Sequence, residues 1–428
     1  MIESRASALR GLLLLVHRYV GLFLSFFLLV AGLTGTLLAF REPLDRALNP
    51  ELFSPPLPAN GPQLLEPFDL ARRVTAQLPA QGGSLGYTVD FDLKPGHAVS
   101  IWVEAEPEEW REYFVNPASG AVLGSRAWGD ISEGKKNLIP FIYRLHYSLA
   151  LDEVGSYLFG VVALLWVADC LVGAWLTLPS ARRRERSRKS PGIWLRRWLP
   201  AWLIKAKNLF ALVFTWHRAS GLWVWGMLLV FAWSGVALNL SEVYRPILEH
   251  SIGFEDSIHE KLPELPPPHK SAGLGPELAY ARATELMNRE LGKLGATVKR
   301  EMYFSYAPEH GAFMYGVESS LDISTKSPNT VLYLDGQSAE LLGLDVPTGR
   351  NLGATVTSWL YALHFGSVGG LWYEIFVSGM GLSVALLSVT GVWIWLRKRR
   401  LPKNRRAEKD SAPSPLQLPE EVSDLLTN

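Results

Sequence analysis

The chain has 428 residues, 48% of them hydrophobic and 16 of them Trp, and its 42 Lys and Arg nearly balance 41 Asp and Glu. This suits a protein with some membrane spans and some water-soluble mass, and a net charge of +1 gives no reason to expect a nucleic-acid partner. The single cysteine, Cys170, excludes an intramolecular disulfide.

Four stretches are long and apolar enough to cross ~30 Å of hydrocarbon: 12–40, 156–178, 210–240 and 373–396. The first ends the segment 1–40. It is too long for a signal-peptide core and no small-x-small site follows it, so a retained anchor is expected. Residues 41–155 form a first outer module: "PFDLARRVTAQL" has helical spacing, and "LGYTVDFDL", "AVSIWVEA" and "REYFVNPASGAVLGS" alternate like strands. The acidic "EAEPEEW" at 104–110 fits a solvated strand end better than a cation site. After the span 156–178 comes a basic loop, 179–209, then the span 210–240. Residues 241–372 repeat the grammar, with "PELAYARATELMNREL" before "VKREMYFSYA", "AFMYGVES" and "NTVLYLDGQSAELLG". The fourth span leads into a polar tail, 397–428, whose end has a disordered composition. The expected fold is an α-helical integral membrane protein of four core transmembrane helices in two parallel repeats, with two outer α+β modules.

Lys and Arg placement orients it. The stretch 181–207 holds ten Lys/Arg and one acid, and "RKRRLPKNRR" follows the fourth span. Both are expected in the cytoplasm with the two termini, which puts the acidic modules in the periplasm of a bacterium.

Residues 17–42 repeat at 217–242. Ten of 26 ungapped positions are identical, including His17/His217, Arg18/Arg218, Gly21/Gly221 and Gly35/Gly235. "YRLHYSL" at 143–149 matches "YALHFGS" at 361–367, and 27 residues after each histidine stands a Gly-x-Trp, at Gly173 and Gly391. Each half is span, outer module, span, so the halves are related by an axis near the membrane normal.

"HRYVGL…GLTGTLLAFREPLDRALNPELF" with "YRLHYSL" resembles the PepSY-associated transmembrane family over about 10–400. The resemblance implies two PepSY modules between four core helices and, in its best understood branch, a bacterial inner-membrane ferric-siderophore reductase with b-type haem. Carried to this chain, it implies haem ligation by His17, His146, His217 and His364. The chain departs from the family at Asn49, where histidine is common, so Asn49 is given no ligand role; His250 is the candidate counterpart of that position in the second half.

The residues make a case of their own. An imidazole in an apolar helix is costly unless partnered, and two neutral imidazoles satisfy a haem iron. A single such histidine fits an interfacial hydrogen bond to a carbonyl better; four in two repeat-related pairs favour a cofactor. His17 and His217 open their spans on the inner side, whereas His146 and His364 precede inward-going spans near the outer side, so the expected pairs are His17 with His217 and His146 with His364. Gly21 and Gly221 would leave room for a macrocycle, and Arg18 and Arg218 suit haem propionates, though Arg18 equally fits an orientation signal. Gly35 and Gly235 fit helix packing. His97, His250, His259, His269 and His310 lack metal-ligand spacing and fit surface positions.

Two haems at opposite faces make an electron path. The cytoplasmic segments are too short for a flavin or NAD(P)H domain, so the donor is a quinol or a separate reductase. The expected activity is reduction of a ferric siderophore or another ferric chelate in the periplasm. Two alternatives stay open: a non-catalytic PepSY protein that restrains an envelope partner, and an iron-complex permease. The permease predicts broken helices and polar mid-span residues, of which only Asp169 is evident.

Overall fold

A computed structural model describes residues 2–56, 63–77, 86–106, 109–179, 191–266, 269, 271–326 and 329–400. Much of the basic stretch at 181–190, the tail beyond 400 and part of the acidic run at 104–110 lie outside the described residues.

The helices are α1 (Ile2–Leu38), α2 (Arg41–Leu48), α3 (Pro50–Phe53), α4 (Pro67–Thr75), α5 (Leu138–Ser148), α6 (Asp152–Thr177), α7 (Pro191–Trp198), α8 (Leu209–Trp223), α9 (Trp225–Asn239), α10 (Ser241–Ile252), α11 (Ile258–Lys261), α12 (Pro276–Lys293), α13 (Leu352–His364) and α14 (Gly370–Arg399). Among the described residues three helices are long and apolar enough to span a membrane: α1 from Ser7, α6 and α14. The fourth expected span is two helices, α8 and α9, bent by 69°. Neither Pro nor a polar cluster announces this break. Val224 leaves helical geometry at φ −103°, ψ 6°. The flanking indoles fix it from both sides, Trp223 Nε1 donating to the Trp202 carbonyl and Trp225 Nε1 to that of Cys170, 3.1 and 3.0 Å.

The bundle is built on close backbone approach. Helix α1 lies mainly along α14, and α9 along α6. At the α1–α14 crossing a Cβ on Gly32 would come 2.7 Å from the Gly381 carbonyl, and one on Gly381 2.7 Å from that of Gly32. Thr36 Oγ1 donates to the Ser378 carbonyl and Ser378 Oγ to that of Thr36, 3.2 and 3.1 Å. Small residues let the helices meet where no hydrophobic effect drives them together.

The two outer modules share one sheet. Its strands are β1 (Tyr87–Asp90), β2 (Val99–Glu106), β3 (Glu109–Val115), β4 (Val122–Ala127), β5 (Val298–Ala307), β6 (Ala312–Ser319), β7 (Thr330–Asp335) and β8 (Leu341–Asp345). They form one antiparallel sheet in the order β4-β3-β2-β1-β5-β6-β7-β8. The two four-stranded halves join through β1 and β5, in the register Thr88↔Ser305 and Val89↔Phe304. Joining them removes two open edges, each an exposed row of backbone donors and acceptors. Helix α4 of the first half and α12 of the second cover one face, and Phe68 sits in a common core with Ala283, Met287, Phe304, Phe313 and Leu332.

A buried ionic cluster ties α2, the segment leaving α1, to the sheet. Arg126, only 4% exposed, donates to Glu112 (2.7 Å), Asp45 (2.9 Å) and the Lys136 carbonyl (2.7 Å). Asn49, fully buried, donates to Asp45 at 2.8 Å. Its place is inside this cluster. Arg126→Ala would strand two buried carboxylates. It is expected to cost ~3–5 kcal/mol, read as a lower melting temperature of the purified protein.

Candidate functional site

Each of the four histidines is gripped at Nδ1. His146 Nδ1 lies 2.9 Å from Thr34 Oγ1, His364 Nδ1 2.5 Å from Ser234 Oγ, His217 Nδ1 2.9 Å from Thr390 Oγ1, and His17 Nδ1 2.9 Å from Asp169 Oδ1. The hydroxyls already donate within their own helices: Thr34 to the Val30 carbonyl (2.7 Å), Ser234 to Phe231 (3.0 Å), Thr390 to Leu386 (2.7 Å). With its one proton on that carbonyl, each hydroxyl accepts from the imidazole. The Asp169 carboxylate likewise accepts. In that arrangement the rings carry the proton on Nδ1 and keep the Nε2 lone pair, the form that suits a haem-ligating imidazole.

Thr34 and Ser234 occupy equivalent positions of the repeat, 17 residues beyond His17 and His217. Along α1 that separation is ~25 Å. One histidine pair thus belongs to the sheet side of the bundle and the other to the distal side.

The sheet-side pair is assembled. The His146 and His364 ring centres are 6.2 Å apart, with planes at 74°. Two imidazoles on opposite faces of one iron, through bonds of ~2 Å each, would hold their centres ~6 Å apart. A cavity of about 450 Å³ opens here between the helices, lined by both histidines, Gly35, Gly235, Trp166 and Phe231. Such a volume is in the ~300–1,000 Å³ range of cofactor pockets. Arg41 and Lys326 bring two cations to it from the sheet side. Lys326 also pairs with Glu374 at 2.9 Å.

The distal pair, His17 and His217, occupies repeat-equivalent positions on α1 and α8. The Gly-x-Trp glycines explain themselves here. A Cβ on Gly173 would meet His17 Cε1 at 3.4 Å, and one on Gly391 would meet His217 Cε1 at the same distance. Each glycine seats one imidazole against the neighbouring helix.

Several expected roles change. Gly35 is not merely a packing glycine: a Cβ there would come 3.0 Å from His146 Cε1, so it seats that ring, while Gly235 packs on Ala163. Gly21 faces the Asp169 carboxylate, at 3.8 Å from a Cβ, and Gly221 faces Leu387 at 3.7 Å; both abut a neighbouring helix where an open slot was expected. Arg218 is turned away from a propionate role, donating to the Ala201 and Pro200 carbonyls at 3.1 and 2.7 Å. Arg18 lies within electrostatic reach of Lys398. Among the remaining histidines, His259 and His310 stack edge-on at 4.9 Å. His97 departs from a plain surface position, its Nδ1 being buried without a hydrogen-bond partner.

Among the described residues no three or more His, Cys, Asp or Glu cluster to hold a bare metal ion. Paired imidazoles with free Nε2 suit instead an iron whose other four positions a macrocycle supplies, and the donor set fits haem. Comparison with known proteins gives one family match, described as the PepSY-associated TM region, over residues 14–398. No curated protein matches the chain.

Proposed function

Since the chain belongs to the PepSY-associated TM family and is a multi-pass membrane protein, we propose that it is a two-haem b-type oxidoreductase of a bacterial inner membrane. In this reading it carries electrons outward to reduce ferric chelates, including ferric siderophores, in the periplasm. The observation that carries the reading is the set of four histidines each held at Nδ1, two of them 6.2 Å apart beside a cavity.

Haem supplies a one-electron ferric/ferrous couple when bound. The chain does the rest. His146 and His364 would hold the sheet-side haem, and His17 and His217 the distal one. Thr34, Ser234, Thr390 and Asp169 fix ring orientation. Arg41 and Lys326 would pair with the propionates of the sheet-side haem, because they line its cavity. The basic stretch around 181–207 supports a cytoplasmic distal side, with both termini inside and the sheet outside. A quinol or a separate reductase would deliver electrons there. Reduction suits iron release, because oxygen chelators grip hard Fe(III) far more tightly than Fe(II).

The α8–α9 break, like Asp169, is a feature a permease would share. Val224 and Trp225 pack there with Cys170, Leu228, Met380 and Val384. An apolar seal at the break supports electron transfer over solute passage.

The test is the absorbance of purified protein followed by mixing with a ferric chelate. Two haems per chain, with sharp bands in the reduced form that fade as chelate is added, are expected. A folded protein without haem would favour the envelope-binding alternative. Thr34→Val should keep the shape and remove the acceptor from His146. Haem retention at the sheet-side site is then expected to weaken ~10–100-fold, measured as faster haem loss to a scavenging globin.

A further inference from the structure

Of the four partners that hold the histidines, one carries a charge. His146, His217 and His364 each place Nδ1 on a hydroxyl, but His17 places Nδ1 on the carboxylate of Asp169, 2.9 Å away. That carboxylate is 12% exposed. The symmetry of the chain makes the choice conspicuous. The offset that places His146 on His364 and Gly173 on Gly391 places Asp169 on Leu387. Only one half carries the carboxylate, and it serves only the distal pair.

The chemical consequence follows from acceptor strength. A carboxylate draws the Nδ1 proton more strongly than a hydroxyl and raises the basicity of Nε2. A more basic axial ligand stabilises the ferric over the ferrous state, which lowers the reduction potential. A fixed negative charge in a low-dielectric bundle acts in the same direction. The sheet-side pair has only neutral acceptors, and Arg41 at its cavity favours the ferrous state and raises its potential, the charge of Lys326 being offset by Glu374.

Resting on the two-haem reading above, we propose that Asp169 is a positioning residue that makes the distal site the lower-potential of the two. Transfer from the distal to the sheet-side site is then downhill. One electron leaves the first site as the second gains it, no bond forms or breaks, and the donor and the ferric chelate close the cycle. Direction is built into the chain by one carboxylate that breaks the repeat.

The experiment is a redox titration of the full chain followed by absorbance. His17→Ala removes the distal haem and so assigns the midpoints: the survivor should be the higher of the wild-type pair. Survival of the lower midpoint overturns the proposal with no Asp169 variant needed. Asp169→Asn keeps the shape and loses the charge. It should raise the distal midpoint by 59 mV or more, a tenfold change in a one-electron equilibrium, and leave the sheet-side midpoint in place. Asp169→Glu should return the distal midpoint toward wild type. With both haems retained, an unmoved distal midpoint in Asp169→Asn overturns the proposal, as does a shift confined to the sheet-side site. Wild-type protein without haem would instead remove the underlying reading.

Discussion

His364→Ala is expected to remove the sheet-side haem, leave the distal one, and stop reduction of ferric chelate. His364 is the only ring facing His146, at 6.2 Å between centres, among the described residues. Losing a ligand outright should exceed the ~10–100-fold that losing a ligand's hydrogen-bond partner costs. The distal site should persist because His17 lies ~25 Å from Thr34 along α1 and the distal rings rest on Gly173 and Gly391. Liposomes with chelate supplied only on the sheet side, mixed in stopped flow, give the readout. Chelate-driven oxidation equal to wild type would mean that electrons leave elsewhere. Loss of both haems from a folded variant would mean that the histidines pair differently.

Gly381→Leu is expected to collapse the bundle beside the same cavity. A Cβ at Gly381 would lie 2.5 Å from Thr36 Oγ1, 2.7 Å from the Gly32 carbonyl and 2.9 Å from the Thr36 amide. The last two are backbone atoms of α1, which cannot swing aside as a side chain would. Overpacking costs ~1–3 kcal/mol even where side chains can adjust, and here two helices must separate. Gly32 and Gly381 both line the cavity, so the haem-to-protein ratio should fall together with the melting temperature. Gly379→Leu is the control. Two residues away on α14, it has nothing within 4 Å of a Cβ and should change neither quantity. A stable, haem-replete Gly381→Leu protein would show that the α1–α14 contact is not what holds the site.

The residues that carry chemistry were the most visible in the sequence, and the residues that hold them were the least. His17, His146, His217 and His364 stand out because an imidazole is rare in an apolar run and because each recurs in the second half. Thr34 and Ser234 also recur at equivalent positions, yet a hydroxyl in a membrane helix ordinarily bonds its own preceding turn, as both do here. Their second bond, to a ring more than a hundred residues away, leaves no local trace. Asp169 was conspicuous as a charge at mid-span, but its partner lies 152 residues back. Gly173 and Gly391 were markers of the repeat, and Gly35 looked like any packing glycine, until the rings against them came into view.

The sequence by itself determined the spans, the strand and helix periodicities of the outer halves, the repeat and the ligand candidates, because each is written in residues close together or in a copied pattern. The tertiary structure decided what those signals leave degenerate. Each half contains a complete four-stranded pattern, so nothing local says that β1 and β5 pair into one sheet. Val224 and its neighbours are as apolar as an unbroken span, so the 69° bend comes from where the Trp223 and Trp225 indoles find carbonyls. Which histidine meets a carboxylate and which a hydroxyl depends on how α1, α6, α9 and α14 cross, because a hydrogen bond between helices is set by packing at a distance that no sequence interval encodes.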